Sequence, residues 1–249
     1  MAISFVIFDM DGVLYDKRDG VRLRALSELS GRSPEEIDQA IFRSDFEAGA
    51  EAGHPATGVE YLDGFSRRLG VELDRETWIR IRRAMVAPKP RLFSLARRLM
   101  KHVDVAMLTN NPILLKETIT ECAPEVVALF GASAHVSAEF SARKPDAAVY
   151  HKICALHGHT PENTVMVDDS RRNVRGAIRA GLNGVLFTNP IALETELVRK
   201  GLRTGGRGPG ALARHVRSPV RSTMGQRRTH PAPPSSQTAR VAGPLANKL

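Results

Sequence analysis

At 249 residues with 42% hydrophobic content, the chain can build one sizeable α/β core and a small insertion. Its formal charge of +9 is uneven: residues 201–249 carry eight arginines and one lysine with no acid, whereas residues 1–200 balance 27 basic against 27 acidic side chains. The part expected to fold is neutral, no apolar run approaches the ~20 residues of a membrane span, and Cys122 and Cys154 lack metal-ligand spacing.

The two cysteines read as buried thiols in a reducing compartment. Met1-Ala-Ile-Ser4 has no basic stretch and leads straight into an apolar run, which argues against a signal peptide and for a cytoplasmic protein. Ile3 to Phe8 predicts a strand covered on both faces. It ends in two carboxylates, Asp9 and Asp11, followed by Gly12, a residue suited to a turn or a close backbone approach. The carboxyl end of a strand is where open α/β sheets bind ligands. Two acids there can divide acyl or phosphoryl transfer between a nucleophile and a proton donor.

Helical patterning then runs to about Met85. Val21, Leu23, Leu26 and Leu29 predict an apolar face ending at Gly31, and Ser33-Pro-Glu-Glu36 predicts a capped helix through Ile37, Ile41 and Phe42. Gly58 to Leu69 and Asp74 to Met85 are two further helices, the last with Trp78, Ile81 and Met85 on one side. A right-handed crossover needs one helix, so four predict a separate helical cap over residues 16–87. Residues 1–15 and 88–200 form the expected core. From Arg91 onward strands alternate with helices: Val103–Leu108, Ala134–Val136, Thr164–Val167 and Gly184–Phe187 are the strands. That rhythm predicts a doubly wound parallel sheet. The tail, 201–249, is rich in Gly, Pro and Arg with no aromatic residue, and predicts disorder. Its charge would suit nucleic acid or another polyanion, although it has no aromatic platform for stacking bases.

Three further strand ends carry polar groups. Thr109 and Asn110 can donate hydrogen bonds to phosphate oxygens. Lys144 can neutralise a phosphate and a charged nucleophile together. Asp168 and Asp169, adjacent carboxylates, repel unless compensated, and Mg²⁺ is the natural compensation.

Asp9-Met-Asp-Gly-Val-Leu14 resembles the first motif, DxDG(T/V)L, of the haloacid dehalogenase superfamily. Thr109-Asn110, Arg143-Lys-Pro-Asp146 and Val167-Asp-Asp-Ser-Arg-Arg-Asn-Val-Arg-Gly-Ala177 resemble its later motifs in order, across residues 3–188. The helices between the first two motifs resemble the C1 helical-cap phosphatase subclass, with a nearer likeness to sugar phosphatases such as α-D-glucose-1-phosphate phosphatase. The resemblance implies a Rossmann-like core and Mg²⁺-dependent hydrolysis of a small phosphorylated metabolite. Asp9 would be the nucleophile that forms an aspartyl-phosphate, and Asp11 the acid and base. Thr109, Asn110 and Lys144 would hold phosphate. Asp9, the Asp11 main-chain carbonyl and Asp169 would hold the metal, with Asp168 a ligand through water or a supporting acid. Three alternatives stay open: a haloacid dehalogenase, against which Asp11 argues; a phosphomutase; and a non-catalytic anion binder acting through the tail. Ala142 stands where many relatives have Gly. The phosphate ester and the oligomeric state are left undetermined.

Overall fold

A computed structural model describes residues 2–205, so the expectations for residues 206–249 lie outside the described chain. Strand β1 (Phe5–Phe8) opens it, and β2 (Tyr15–Lys17) follows the acidic loop. Five helices come next: α1 (Asp19–Ser30), α2 (Pro34–Ile37), α3 (Asp45–Glu51), α4 (Gly58–Leu69) and α5 (Arg75–Ala84). Strand β3 (Val86–Pro88) pairs antiparallel with β2 and returns the chain to the sheet. Helix α6 (Pro90–Leu99), β4 (Asp104–Thr109), α7 (Ile113–Cys122), α8 (Pro124–Phe130) and β5 (Ala134–Val136) follow. The chain continues through α9 (Ala147–Leu156), β6 (Thr164–Asp168), α10 (Arg171–Arg179), β7 (Asn183–Leu186) and α11 (Pro190–Arg199).

The five-stranded sheet is parallel throughout, in the order β5-β4-β1-β6-β7. This is the expected doubly wound architecture. Its central strand is β1, with Phe8 level with Met107 on one side and Val167 on the other. That register brings the carboxyl ends of β1, β4 and β6 to one edge.

Alternation along the strands splits the core into two layers, because successive side chains leave opposite faces. Val6, Phe8, Val105, Met107, Val165 and Val167 pack with α6, α7, α8 and α11. Phe5, Ile7, Ala106, Leu108 and Met166 pack with α9 and α10. The helical segment α1–α5 joins the first layer: Leu26, Ile41, Tyr61, Phe65 and Ile81 belong to the same buried cluster as the sheet. All the described residues fall in one compact unit.

Local chemistry explains the helix ends. Ser33 accepts the Glu36 N–H while the Glu36 side chain takes the Ser33 N–H, a complete capping box. Gly70 closes α4 with a left-handed conformation, φ +86°, that side chains avoid.

Four details differ from the sequence reading. Helix α3 and the β2–β3 ribbon were not anticipated; α3 has Ser44 as its N-cap, but its Ala-Gly-Ala core offers no apolar stripe. The capped helix widens into a π-turn over Asp38–Phe42. Of the four residues expected on the α1 face, only Leu26 is fully buried and Leu29 is 42% exposed, since their spacing drifts around the helix. Finally, Leu202 and Thr204, assigned to the tail, are buried, and the Thr204 carbonyl accepts a hydrogen bond from Arg98 Nε.

Candidate active site

Asp9 sits one residue beyond β1, 6% exposed, its N–H bonded to the Val167 carbonyl at 2.9 Å. Its Oδ1 accepts the Met10 N–H at 2.8 Å and lies 2.9 Å from Lys144 Nζ. No hydrogen bond or ion pair falls on Oδ2 among the described residues. One oxygen is anchored while the other stays unengaged.

Lys144 is 1% exposed and reaches three acceptors: Asp9 Oδ1, Asp168 Oδ2 at 2.7 Å and the Leu108 carbonyl at 3.0 Å. Two of these are hydrogen bonds and the contact with Asp9 is an ion pair. Burial lowers the lysine's affinity for its proton, but Asp9 and Asp168 outweigh that and raise it above the ordinary value. The residue expected to grip phosphate is therefore already committed to two carboxylates.

Asp168 is fully buried. Its Oδ1 accepts the Ser170 N–H at 2.8 Å and Asn173 Nδ2 at 3.1 Å, and its Oδ2 takes Lys144. With both oxygens occupied by protein donors, it is built as a support for Lys144. Asn173, on the first turn of α10, was missed in the sequence; its place five residues after the acid, just past the Ser170 N-cap, is the legible signal.

Asp9, Asp168 and Asp169 each bring a carboxylate oxygen within 4.8 Å of the others. Burial, together with Asp168 and Asp11, pushes the Asp9 carboxyl up to about 8 against the pull of Lys144. Burial and then Asp168 also raise Asp169. One lysine does not balance this much negative charge, and a cation with oxygen ligands would. The backbone makes room for the arrangement: at Gly12, φ +85°, a Cβ would stand 2.0 Å from Asp169 Oδ2. The donor set therefore fits a hard divalent cation.

Asp11 lies outside that trio. Its carboxylate pairs with Arg82 of α5, whose Nη2 is 2.8 and 2.9 Å from the two oxygens. Burial pushes Asp11 up, but Arg82, with Lys17 and Arg22, more than offsets it and leaves the group below its usual range. Arg82 was missed in the sequence, although it shares the buried face of α5 with Trp78, Ile81 and Met85, and an arginine on an apolar stripe is a warning of a buried pair.

Thr109 is buried, and its Oγ1 accepts Asn111 Nδ2 at 2.9 Å while its own proton stays free to donate. The Asn110 side chain instead clamps the Lys144 backbone, donating to its carbonyl at 2.8 Å and accepting its N–H at 2.9 Å. Asn110 thereby braces the lysine loop and keeps one amide N–H unused in these contacts.

Asp9, Asp11, Thr109, Lys144 and Asp169 line a cleft of about 530 Å³ that Lys17, Glu51 and Lys89 also border. None of its lining side chains is apolar. Lys89 Nζ donates to the Gly12 carbonyl at 2.5 Å and lies 3.2 Å from Asp16, tying β3 to the acidic loop. Glu51 of α3 meets Arg143 at 2.7 Å, so the helical segment is joined to the lysine loop. Burial pushes the Glu51 carboxyl up to about 7 against that arginine.

A family model described as haloacid dehalogenase-like hydrolase matches residues 3–181. Among solved structures, the chain is similar to the HAD family enzyme BT-2542 of Bacteroides thetaiotaomicron, in complex with magnesium and inorganic phosphate. The TM-score is 0.63 and the identity 16%, over 75% of this chain and 95% of that one. It is similar to a HAD phosphatase from Thermococcus onnurineus, with a TM-score of 0.52 and 19% identity over 76% and 86%. The L-2-haloacid dehalogenase of Xanthobacter autotrophicus, with chloropropionic acid covalently bound, also has a TM-score of 0.52, at 20% identity over 81% and 84%.

Proposed function

Since this chain belongs to the haloacid dehalogenase-like hydrolases, we propose that it is a Mg²⁺-dependent phosphatase that cleaves a small phosphomonoester through an aspartyl-phosphate on Asp9. The observation that carries the reading is the asymmetry of Asp9: Oδ1 is fixed by Lys144 and the Met10 N–H, and Oδ2 is unengaged at the edge of a polar cleft.

Asp9 Oδ2 attacks phosphorus as the bond to the leaving oxygen breaks, and Asp11 gives that oxygen its proton. Water then adds to phosphorus, Asp11 takes a proton from it, and the bond to Asp9 breaks to release inorganic phosphate. Lys144 orients Asp9 and, with a bound cation, would favour its charged form against the burial that raises it, and Thr109 donates its hydroxyl proton to a phosphate oxygen. Asn110 and Asp168 hold Lys144 in place. Mg²⁺, when bound, would neutralise the phosphate oxygens and Asp9. Asp9, Asp169 and the Asp11 carbonyl would hold it, with Asp168 behind. Asp11 stands paired with Arg82 through a single guanidinium nitrogen, so a proton on one carboxylate oxygen leaves the other to accept that nitrogen and the contact is kept.

The cleft's wholly polar lining favours a hydroxylated leaving group such as a sugar and offers no ring on which a nucleobase could stack. Among the described residues no helix is long and apolar enough to cross a membrane. The free, buried thiols of Cys122 and Cys154 suit a reducing cytoplasm, which we include in the proposal.

The test is release of inorganic phosphate from p-nitrophenyl phosphate and a panel of sugar phosphates, with Mg²⁺ and with chelator. Metal-dependent release supports the reading. Release of halide from 2-haloacids without metal, or interconversion of sugar phosphates without free phosphate, would replace it with dehalogenase or mutase chemistry.

A further inference from the structure

We propose that Arg82 is a positioning residue of this reaction, acting through Asp11: from helix α5 it fixes the direction in which the acid–base carboxylate faces. The proposal rests on the phosphatase reading above.

A guanidinium 5% exposed needs compensation, because an unpaired buried charge is strongly unfavourable. Arg82 has five N–H donors to place. Its one strong interaction is with Asp11, where a single nitrogen spans both carboxylate oxygens. Its remaining contacts are weak acceptors, Met85 Sδ at 3.6 Å and Met10 Sδ at 3.9 Å, and its Nε is buried with no partner among the described residues.

The pair also lies at a boundary. Asp11 lines the cleft that holds Asp9 and Lys144, whereas Arg82 lines a separate cavity of about 30 Å³ inside the helical segment, beside Glu47, Tyr61 and Asn111. The Asp11 carboxylate is thus held on the α5 side of the cleft that Asp9 and Lys144 also line. Asp11 and Arg82 are 71 residues apart in the chain, and the whole helical segment lies between them. A carboxylate that must meet a leaving oxygen and then a water needs an aimed position, and Arg82 is its one ion-pair partner among the described residues.

The test is a double-mutant cycle on the full chain with Mg²⁺ and p-nitrophenyl phosphate: wild type, Arg82→Met, Asp11→Asn and the double variant. Arg82→Met should lower kcat by roughly 10–100-fold, the loss usual for a partner that orients a reacting group, with little change in KM. In the Asp11→Asn background the same substitution should change kcat by less than about two-fold, since the group it acts through is gone. Arg82→Lys should restore part of the loss, and it carries the cycle if the methionine variant fails to fold. An equal loss in both backgrounds would mean a merely structural arginine, and no loss in the wild-type background would also overturn the proposal. A urea-denaturation cycle on the same proteins reads the Arg82–Asp11 coupling without turnover. If the wild type releases no phosphate, the phosphatase reading falls and Arg82 loses this role with it. If the wild type is active and urea shows coupling but the kinetic losses add, only the Arg82 proposal falls.

Discussion

The carboxyl edge of the sheet and the helical segment beside it are built on different terms. At the sheet edge the charged groups are cross-braced: Lys144 uses three acceptors, Asp168 uses both oxygens, and Asn110 and Asn173 hold those two in turn. In the helical segment the buried charges are thinly supported. Among the described residues Arg82 has one carboxylate partner and otherwise only two methionine sulfurs, and Glu47 has one tyrosine hydroxyl. A fully satisfied network fixes one geometry, whereas a sparsely satisfied one leaves alternatives close in energy. On the proposed phosphatase reading, the sheet edge therefore suits the fixed parts of the reaction, and the helical segment suits parts that must move or discriminate.

The largest effects should come from the sheet edge. Asp9→Asn should abolish turnover, by at least about 10⁴-fold, in a protein that still folds. Asp11→Asn, removing a group tied to the helical segment, should slow turnover by roughly 10²–10⁴-fold. Steady-state phosphate release measures both, and an Asp9→Asn protein of near-normal rate would dissolve the contrast.

Gly12→Ala should come next. It places a Cβ at φ +85° and 2.0 Å from Asp169 Oδ2, so Asp169 must move. The expected result is a loss of about 1–3 kcal/mol in stability and weaker Mg²⁺ binding, read by urea denaturation and metal titration. Unchanged metal affinity would remove Asp169 from the ligand set.

Much of the sheet edge was legible in the sequence because its signals are local. A strand that ends in Asp-x-Asp-Gly, and another that ends in Asp-Asp, announce themselves within ten residues. Lys144 could be named, but not its three acceptors, which come from β1, β4 and β6 through the sheet register. The helical segment was legible only as helices. Helix α3 has no apolar stripe, strands β2 and β3 are three residues each, and the Asp11–Arg82 pairing depends on how five helices return to their starting point.

The end of the described chain sharpens the comparison further. Truncation after Gly205 should leave the melting temperature and activity unchanged and remove any salt-sensitive binding to nucleic acid or other polyanions, as eight of the tail's nine basic residues lie beyond that point. Truncation after Lys200 should instead cost about 1–3 kcal/mol, because it also removes the buried Leu202. Equal melting temperatures for the two truncations would return the boundary to Lys200.

An effect of similar size lies in α3. Glu51 keeps its proton to about pH 7 when folded, against 4.5 when free, so its ionisation works against the fold. Below about 4.5 both states are protonated and nothing is lost; as pH rises through this window the unfolded state sheds the proton first and stability falls. Glu51→Gln should therefore gain stability relative to wild type between about pH 4.5 and 7, by about 1–3 kcal/mol, in urea melts across pH. A variant less stable than wild type at pH 8 would show that the Arg143 pair dominates.

The most direct test of the central claim is acid quenching of the enzyme during turnover of a ³²P-labelled sugar phosphate, followed by peptide mapping. The account predicts a hydroxylamine-labile label on the peptide that contains Asp9, and none in Asp9→Asn. Phosphate release by an active wild-type enzyme that never carries label on Asp9 would contradict it.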